Sequence, residues 1–155
     1  MRGRSWGIAM LNRDFREMLS ELLDASAEYL IVGAYALAAH GVPRATGDLD
    51  VWIRPSKDNA GRVFAALARF GAPLDHVSLE DFTNPGMVFQ IGVAPRRIDI
   101  LTSIDGVDFD SAWSGRTSVE IDGLRVPVLG REDLIANKRA VGRPKDLADI
   151  AMLEE

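Results

Sequence analysis

Asp48 and Asp50 stand two residues apart in Asp48-Leu49-Asp50-Val51-Trp52-Ile53. On a strand, residues i and i+2 share a face, so this spacing sets two carboxylates side by side while Leu49, Val51 and Ile53 point the other way. Two neighbouring carboxylates repel each other and drive one pKa upward unless a cation lies between them. An all-oxygen pair suits a hard divalent ion, Mg²⁺ or Mn²⁺. The plainer alternative is a polar turn leading into a strand, with Asp48 ending the loop, but Asp50 inside an otherwise apolar strand has no such structural use. A third acid, Asp99, is alone among aliphatics in Ile98-Asp99-Ile100-Leu101. It either joins the pair or is neutralised by Arg96, Arg97 or Arg44.

The elements that must position these acids follow from local pattern. The apolar run from Tyr29 leads to Gly33-Ala34, a short helical pattern closes at His40-Gly41, and a polar loop over residues 42–47 enters the Asp48 strand. This reads as strand, glycine turn, helix, loop, strand. Gly33, between a buried strand and a helix, is either a tight left-handed turn or packing point, or the place where a phosphate approaches the backbone. Upstream, Asn12 can cap a helix whose Phe15, Met18, Leu19, Leu22 and Leu23 recur at helical spacing. Downstream, Pro55-Ser56 opens a helix through Val63, Phe64, Leu67 and Phe70 that ends at Gly71. Short β-type runs follow at Met87–Ile91 and Ile98–Leu101, then a short helix over Phe109–Trp113. Asp122-Gly123 predicts a type I′ hairpin between residues 119–121 and 124–128. The remainder is helical, with a break at Gly142-Arg143-Pro144 and a last helix through Leu147, Ile150 and Leu153. The fold class is therefore α/β (α+β): a mixed β-sheet with helices packed mainly on one face, plus C-terminal helices.

Composition narrows the chemistry. At 155 residues, 47% hydrophobic and 26% charged, the chain is expected to form one domain over residues 1–155. It contains no cysteine and only His40 and His76, far apart, which argues against a zinc enzyme and leaves oxygen ligands. No apolar run is long enough to span a bilayer, and residues 1–5 are not followed by the apolar segment of a signal peptide, so the expectation is a soluble cytoplasmic protein without membrane partners. A net charge of −5 speaks against broad wrapping of nucleic acid, while a local basic cluster can still hold a triphosphate or an acceptor end. Arg44 and Thr46 in the loop, and Lys138, Arg143 and Lys145 near the helix break, are substrate contacts or solvated surface residues. Asp146 and Asp149 cap and charge the start of the last helix, at least one of them for that reason. His40 reads as a helix-end residue, and Trp52 and Trp113 as packing residues.

An apolar residue and glycine (Val32-Gly33), then Asp48-x-Asp50 and much later a lone strand acid, Asp99, resemble the nucleotidyltransferase superfamily that shares its fold with DNA polymerase β. The resemblance implies that the Gly33-Ala34 turn binds the triphosphate of an NTP, that Asp48, Asp50 and Asp99 are catalytic metal ligands for Mg²⁺ or Mn²⁺, and that Asp99 helps position or deprotonate an acceptor hydroxyl. Arg44-x-Thr46-x-Asp48-Leu-Asp50, Lys138 and Arg143-x-Lys145-Asp146-x-x-Asp149 are similar to the nucleotidyltransferase-like toxins of type IV toxin-antitoxin systems. That likeness implies nucleotide contacts from Arg44, Thr46 and Lys138, and a possible antitoxin partner. The acceptor stays open among RNA ends, proteins and small molecules. The family commonly carries Gly or Ser where Ala34 stands; alanine keeps the backbone N–H and gives up a hydroxyl contact of about 1 kcal/mol. A non-catalytic binding or partner module with the same fold is the alternative function.

Overall fold

The structure, a computed structural model, describes residues 11–44 and 47–155. Helix α1 (Arg13–Asp24) starts where its cap was expected: Asn12 Oδ1 accepts the Phe15 N–H at 2.9 Å, and Phe15, Met18, Leu19 and Leu22 are buried along one stripe. Strand β1 (Tyr29–Val32), buried at every position, passes directly into α2 (Gly33–Ala39). After the loop come β2 (Leu49–Ile53) and α3 (Lys57–Phe70), the latter capped by Ser56 and closed by left-handed Gly71. The pair β3 (Val88–Ile91) and β4 (Ile98–Leu101) follows, then α4 (Phe109–Ser114), and the hairpin of β5 (Thr117–Ile121) and β6 (Leu124–Val128). Asp122 and Gly123 both have positive φ, 49° and 81°, as a type I′ turn requires. Two helices end the chain, α5 (Arg131–Val141) and α6 (Pro144–Leu153), separated by Gly142 at φ 71°.

The six strands form one mixed sheet in the order β3-β4-β2-β1-β6-β5. Antiparallel β1 and β2 make its centre; β4 lies parallel to β2 on one side and β6 parallel to β1 on the other. A parallel neighbour cannot be reached by a tight turn, so the chain between β2 and β4 must cross over, and α3 makes that crossover. The face carrying Val51 and Ile100 is covered by α1, α3 and a 3₁₀ turn (Leu79–Thr83) that sequence periodicity does not reveal. Its Phe82 sits edge-on between Phe64 of α3 and Phe89 of β3, with ring centroids 6.1 and 5.8 Å away. On the opposite face Trp52 meets Phe109 of α4 at 4.9 Å, and Trp113 stacks on Phe109, so both tryptophans pack. His40 ends α2, its Nε2 2.8 Å from the Leu129 carbonyl oxygen. Among the described residues, no helix is long and apolar enough to cross a membrane.

One buried polar side chain joins helix to sheet. Asn59, 3% exposed on α3, accepts the Glu28 N–H at 2.7 Å and donates to the carbonyls of Glu28 and Arg54 at 2.9 and 3.0 Å. It thereby ties the residue before β1 to the residue after β2. Asn59→Ala leaves one buried N–H and two carbonyls without that partner, and should lower the unfolding free energy by about 2–3 kcal/mol in urea titrations. A loss below about 0.5 kcal/mol would mean that water replaces the amide fully.

Candidate active site

The parallel register of β2 and β4 sets Asp50 opposite Asp99, with Leu49 opposite Ile98 and Val51 opposite Ile100. Facing residues on adjacent strands share a side of the sheet, so Asp50 and Asp99 project together, and Asp48, two residues earlier, follows. Gln90 of β3 lies opposite Asp99 and extends the row to the sheet edge. Asp99 is 8% exposed. The three acids of the sequence reading are thus one cluster, built by strand pairing across 49 residues of chain.

Arg97 holds that cluster from one side. Its Nε donates to Asp99 Oδ1 at 2.8 Å and its Nη2 to Asp99 Oδ2 at 3.2 Å, while Nη2 is also 3.1 Å from Asp48 Oδ2. The loop before β2 is pressed onto the turn that carries this arginine. The Leu49 N–H donates to the Arg97 carbonyl at 3.0 Å, and a Cβ on Gly47 would lie 2.4 Å from the Pro95 carbonyl oxygen. Sequence reading offered Arg97 only as one of three partners for Asp99. The signal was present, because Arg97 and Asp99 have the same i, i+2 spacing as Asp48 and Asp50.

One guanidinium does not balance three carboxylates. The Asp50 carboxyl is pushed up to about 6 from an ordinary 3.8, by burial first and then by the charges of Asp99 and Asp48. A divalent cation would remove that conflict, and an all-carboxylate donor set fits Mg²⁺ or Mn²⁺ rather than a soft metal. Among the described residues, no group of three or more His, Cys, Asp or Glu side chains is placed, as the side chains now stand, where it could hold a metal ion.

Beside the acids lies a cleft of about 420 Å³ lined by Gly33, Ala34, Arg44, Asp50, Lys138 and Lys145, among others. Gly33 has φ 69°, and a Cβ there would stand 2.3 Å from Asp50 Oδ2, so glycine is needed both for the turn and for close passage over the acid. Across the cleft, Lys138 is 12% exposed and reaches Asp146 Oδ1 at 3.3 Å and Asp149 Oδ2 at 3.2 Å, both acids being buried. Arg44 pairs with Asp149 as well. Asp146 caps α6, accepting the Arg143 backbone N–H at 3.1 Å and its Nε–H at 2.7 Å, and the Arg143 contact, with help from Lys138, lowers its pKa to about 2. Asp149 serves the cations instead of the helix end. Lys145 lines the cleft and makes no ion pair among the described residues. Of the residues expected at the nucleotide, Gly33, Ala34, Arg44 and Lys138 are together here with Asp50; Thr46 lies outside the described residues. The arrangement is a basic wall facing an acidic strand pair, suited to a polyanion whose reacting end meets the carboxylates.

The chain matches, over residues 8–154, the family described as nucleotidyltransferase of unknown function (DUF6036), and it belongs to that family. No protein of curated function matches it by sequence. Solved structures share its fold, among them the following three. A Thermotoga maritima protein, provisionally assigned as a nucleotidyltransferase, aligns over 92% of this chain and 94% of its own at 16% identity and TM-score 0.58. The lincosamide antibiotic adenylyltransferase LnuA, solved with lincomycin, aligns over 95% and 98% at 10% identity and TM-score 0.60. The antibiotic-resistance factor ANT(2'')-Ia aligns over 90% and 80% at 14% identity and TM-score 0.58.

The raised Asp50 carboxyl makes a pH prediction. Its folded-state value, about 6, lies above the 3.8 of an exposed aspartate, so the folded protein binds the extra proton between these values and loses stability as pH rises through that window. Asp50→Asn removes the liability. In metal-free buffer the variant should match wild type near pH 4 and exceed it by about 2 kcal/mol at pH 8 in urea titrations. Equal stability at both pH values would show that Asp50 ionises without strain.

Proposed function

We propose that this chain, as a member of that family, transfers a nucleoside monophosphate from an NTP to an acceptor hydroxyl with the help of Mg²⁺ or Mn²⁺. The observation that carries the reading is the pairing of β2 with β4, which sets Asp50 beside Asp99 and Asp48 at the edge of a cleft whose other wall is basic. The three carboxylates would hold the metal, which when bound supplies charge neutralisation at the phosphates. Lys138, Arg44 and Lys145 offset the triphosphate charge, and the Gly33-Ala34 backbone lines its path. Asp99, nearer the open sheet edge, accepts the proton of the incoming hydroxyl. The acceptor oxygen forms a bond to the α-phosphorus, the bond from that phosphorus to the oxygen bridging to the β-phosphate breaks, and pyrophosphate leaves.

Buried Asp146 and Asp149 give the basic wall a fixed shape, because Lys138 and Arg44 are anchored on them. This favours catalysis over a passive binding module, in which such preorganisation beside three crowded acids would have no use. The acceptor class, an RNA end, a protein or a small molecule, and an antitoxin partner belong to the same proposal by resemblance.

Incubating the protein with α-labelled NTPs, Mg²⁺ or Mn²⁺, and tRNA, protein and aminoglycoside acceptors should give labelled product. Asp48→Asn and Asp50→Asn should each lower transfer by at least about 100-fold while the fold persists. Full activity in either variant would remove it from the site. Lys138→Ala would also strip two buried carboxylates of a partner, so Lys145→Ala is the cleaner probe of the wall. We expect NTP-Mg²⁺ affinity to fall about two- to fivefold at low ionic strength, with a shallower salt dependence. Unchanged affinity and salt slope would return Lys145 to the solvated surface.

A further inference from the structure

Arg97 has a second property beyond neutralising its neighbours. It bridges Asp48 and Asp99 with a single guanidinium, at 3.1 and 2.8 Å, and so lies between two of the three carboxylates that a cation would need. Its side chain is nevertheless 31% exposed, so one end of the group already meets solvent. Its backbone is fixed independently of that contact, by the bond from Leu49 N–H and the packing of Gly47 on the Pro95 turn. The side chain can therefore leave without unravelling the turn.

We propose that Arg97 is a positioning residue that acts as the resident counter-cation of the acid cluster: it keeps Asp48 and Asp99 together in the metal-free protein and is exchanged for the divalent ion when that ion binds. The inference rests on the metal-dependent reading above. A guanidinium is a planar fork suited to two carboxylates at once, yet it carries one charge where the three acids call for more. A divalent ion satisfies the same oxygens with twice the charge. Both cations cannot occupy the space between the two acids, so the ion pairs to Arg97 must open for the metal to close its shell. Asp50, which receives no hydrogen bond from Arg97, is the acid left open for the ion to meet first.

An arginine with a purely structural role would make every loss harmful, and exchange predicts opposite signs. Arg97→Ala should lower the melting temperature of the metal-free protein and at the same time bind Mn²⁺ about three- to tenfold more tightly, as a partly exposed, charge-assisted contact no longer competes. Free Mn²⁺ followed by electron paramagnetic resonance gives the affinity without any nucleotide or acceptor. In ¹⁵N-labelled protein, the Arg97 Nε–H resonance, assigned by its loss in Arg97→Lys, should move from a hydrogen-bonded to a solvent-like position on adding Mg²⁺. Tighter Mn²⁺ binding by Arg97→Ala together with that shift supports the exchange, as does binding by the variant alone. Equal or weaker binding by the variant, or an unmoved resonance at saturating Mg²⁺, overturns it and leaves the metal-dependent reading standing. Absence of Mn²⁺ binding by both proteins overturns the two together.

Discussion

The constraint on which the site depends is the parallel pairing of β2 with β4. Parallel register sets residues opposite one another at fixed intervals, and here it brings Asp50 against Asp99 within an otherwise apolar pair of strands. Each of the other features answers that crowding. The Arg97 turn is pressed against the loop before β2 and lends a positive charge. Gly33 removes its side chain so that the chain can pass over Asp50. The pKa of Asp50 rises because burial and two neighbouring carboxylates act together. A hydrophobic pair of residues at these positions would make a more comfortable sheet, so the strain points to use rather than to stability.

The second half of the site is arranged by the opposite device. On α5 and α6 it is the acids that are buried and the cations that face the cleft: Asp146 and Asp149 hold Lys138 and, with Arg44, fix the positions of long side chains that would otherwise sample many rotamers. Burying a carboxylate is costly unless it is paired and hydrogen-bonded, and here the pairs are made. Because α5 and α6 are joined by left-handed Gly142 and proline-started α6, the two acids and Lys138 meet across a bend and not along one helix face. The cationic wall is thus preformed by its buried acids, beside a strand pair whose own carboxylates are held by Arg97.

A likeness of fold at 10–16% identity carries no information about the acceptor. What the likeness shows is the fold, a mixed sheet with its packed helices, on which different sites can be built.

Much of this was legible in the residues themselves. Local chemistry determines its own outcome where a residue type has one physical use: Asn12 and Ser56 as caps, Gly71 and Gly142 as helix stops, Asp122-Gly123 as a hairpin turn, and the alternation that sends Asp48 and Asp50 to one face. The same-face spacing of Asp48 and Asp50 already announced crowded carboxylates, which in the structure are met by Arg97 and by a raised Asp50 pKa. What the sequence by itself could not decide were relations between distant segments. The i, i+2 spacing sets Arg97 on the Asp99 face, but that the same guanidinium also reaches Asp48 depends on how its turn packs against Gly47. Asp149 reads as a helix-start acid until α5 folds back and presents Lys138 to it. Asn59 looks like one more polar residue of α3 until β1 and β2 converge on it, and the 3₁₀ turn, although opened by a local Ser78–Asp81 capping box, has its place only once Phe82 is set between Phe64 and Phe89. Capping and alternation act within a few residues, so sequence carries them; hydrogen bonds and ion pairs across tens of residues exist only once the sheet register has been set, so tertiary structure decides them.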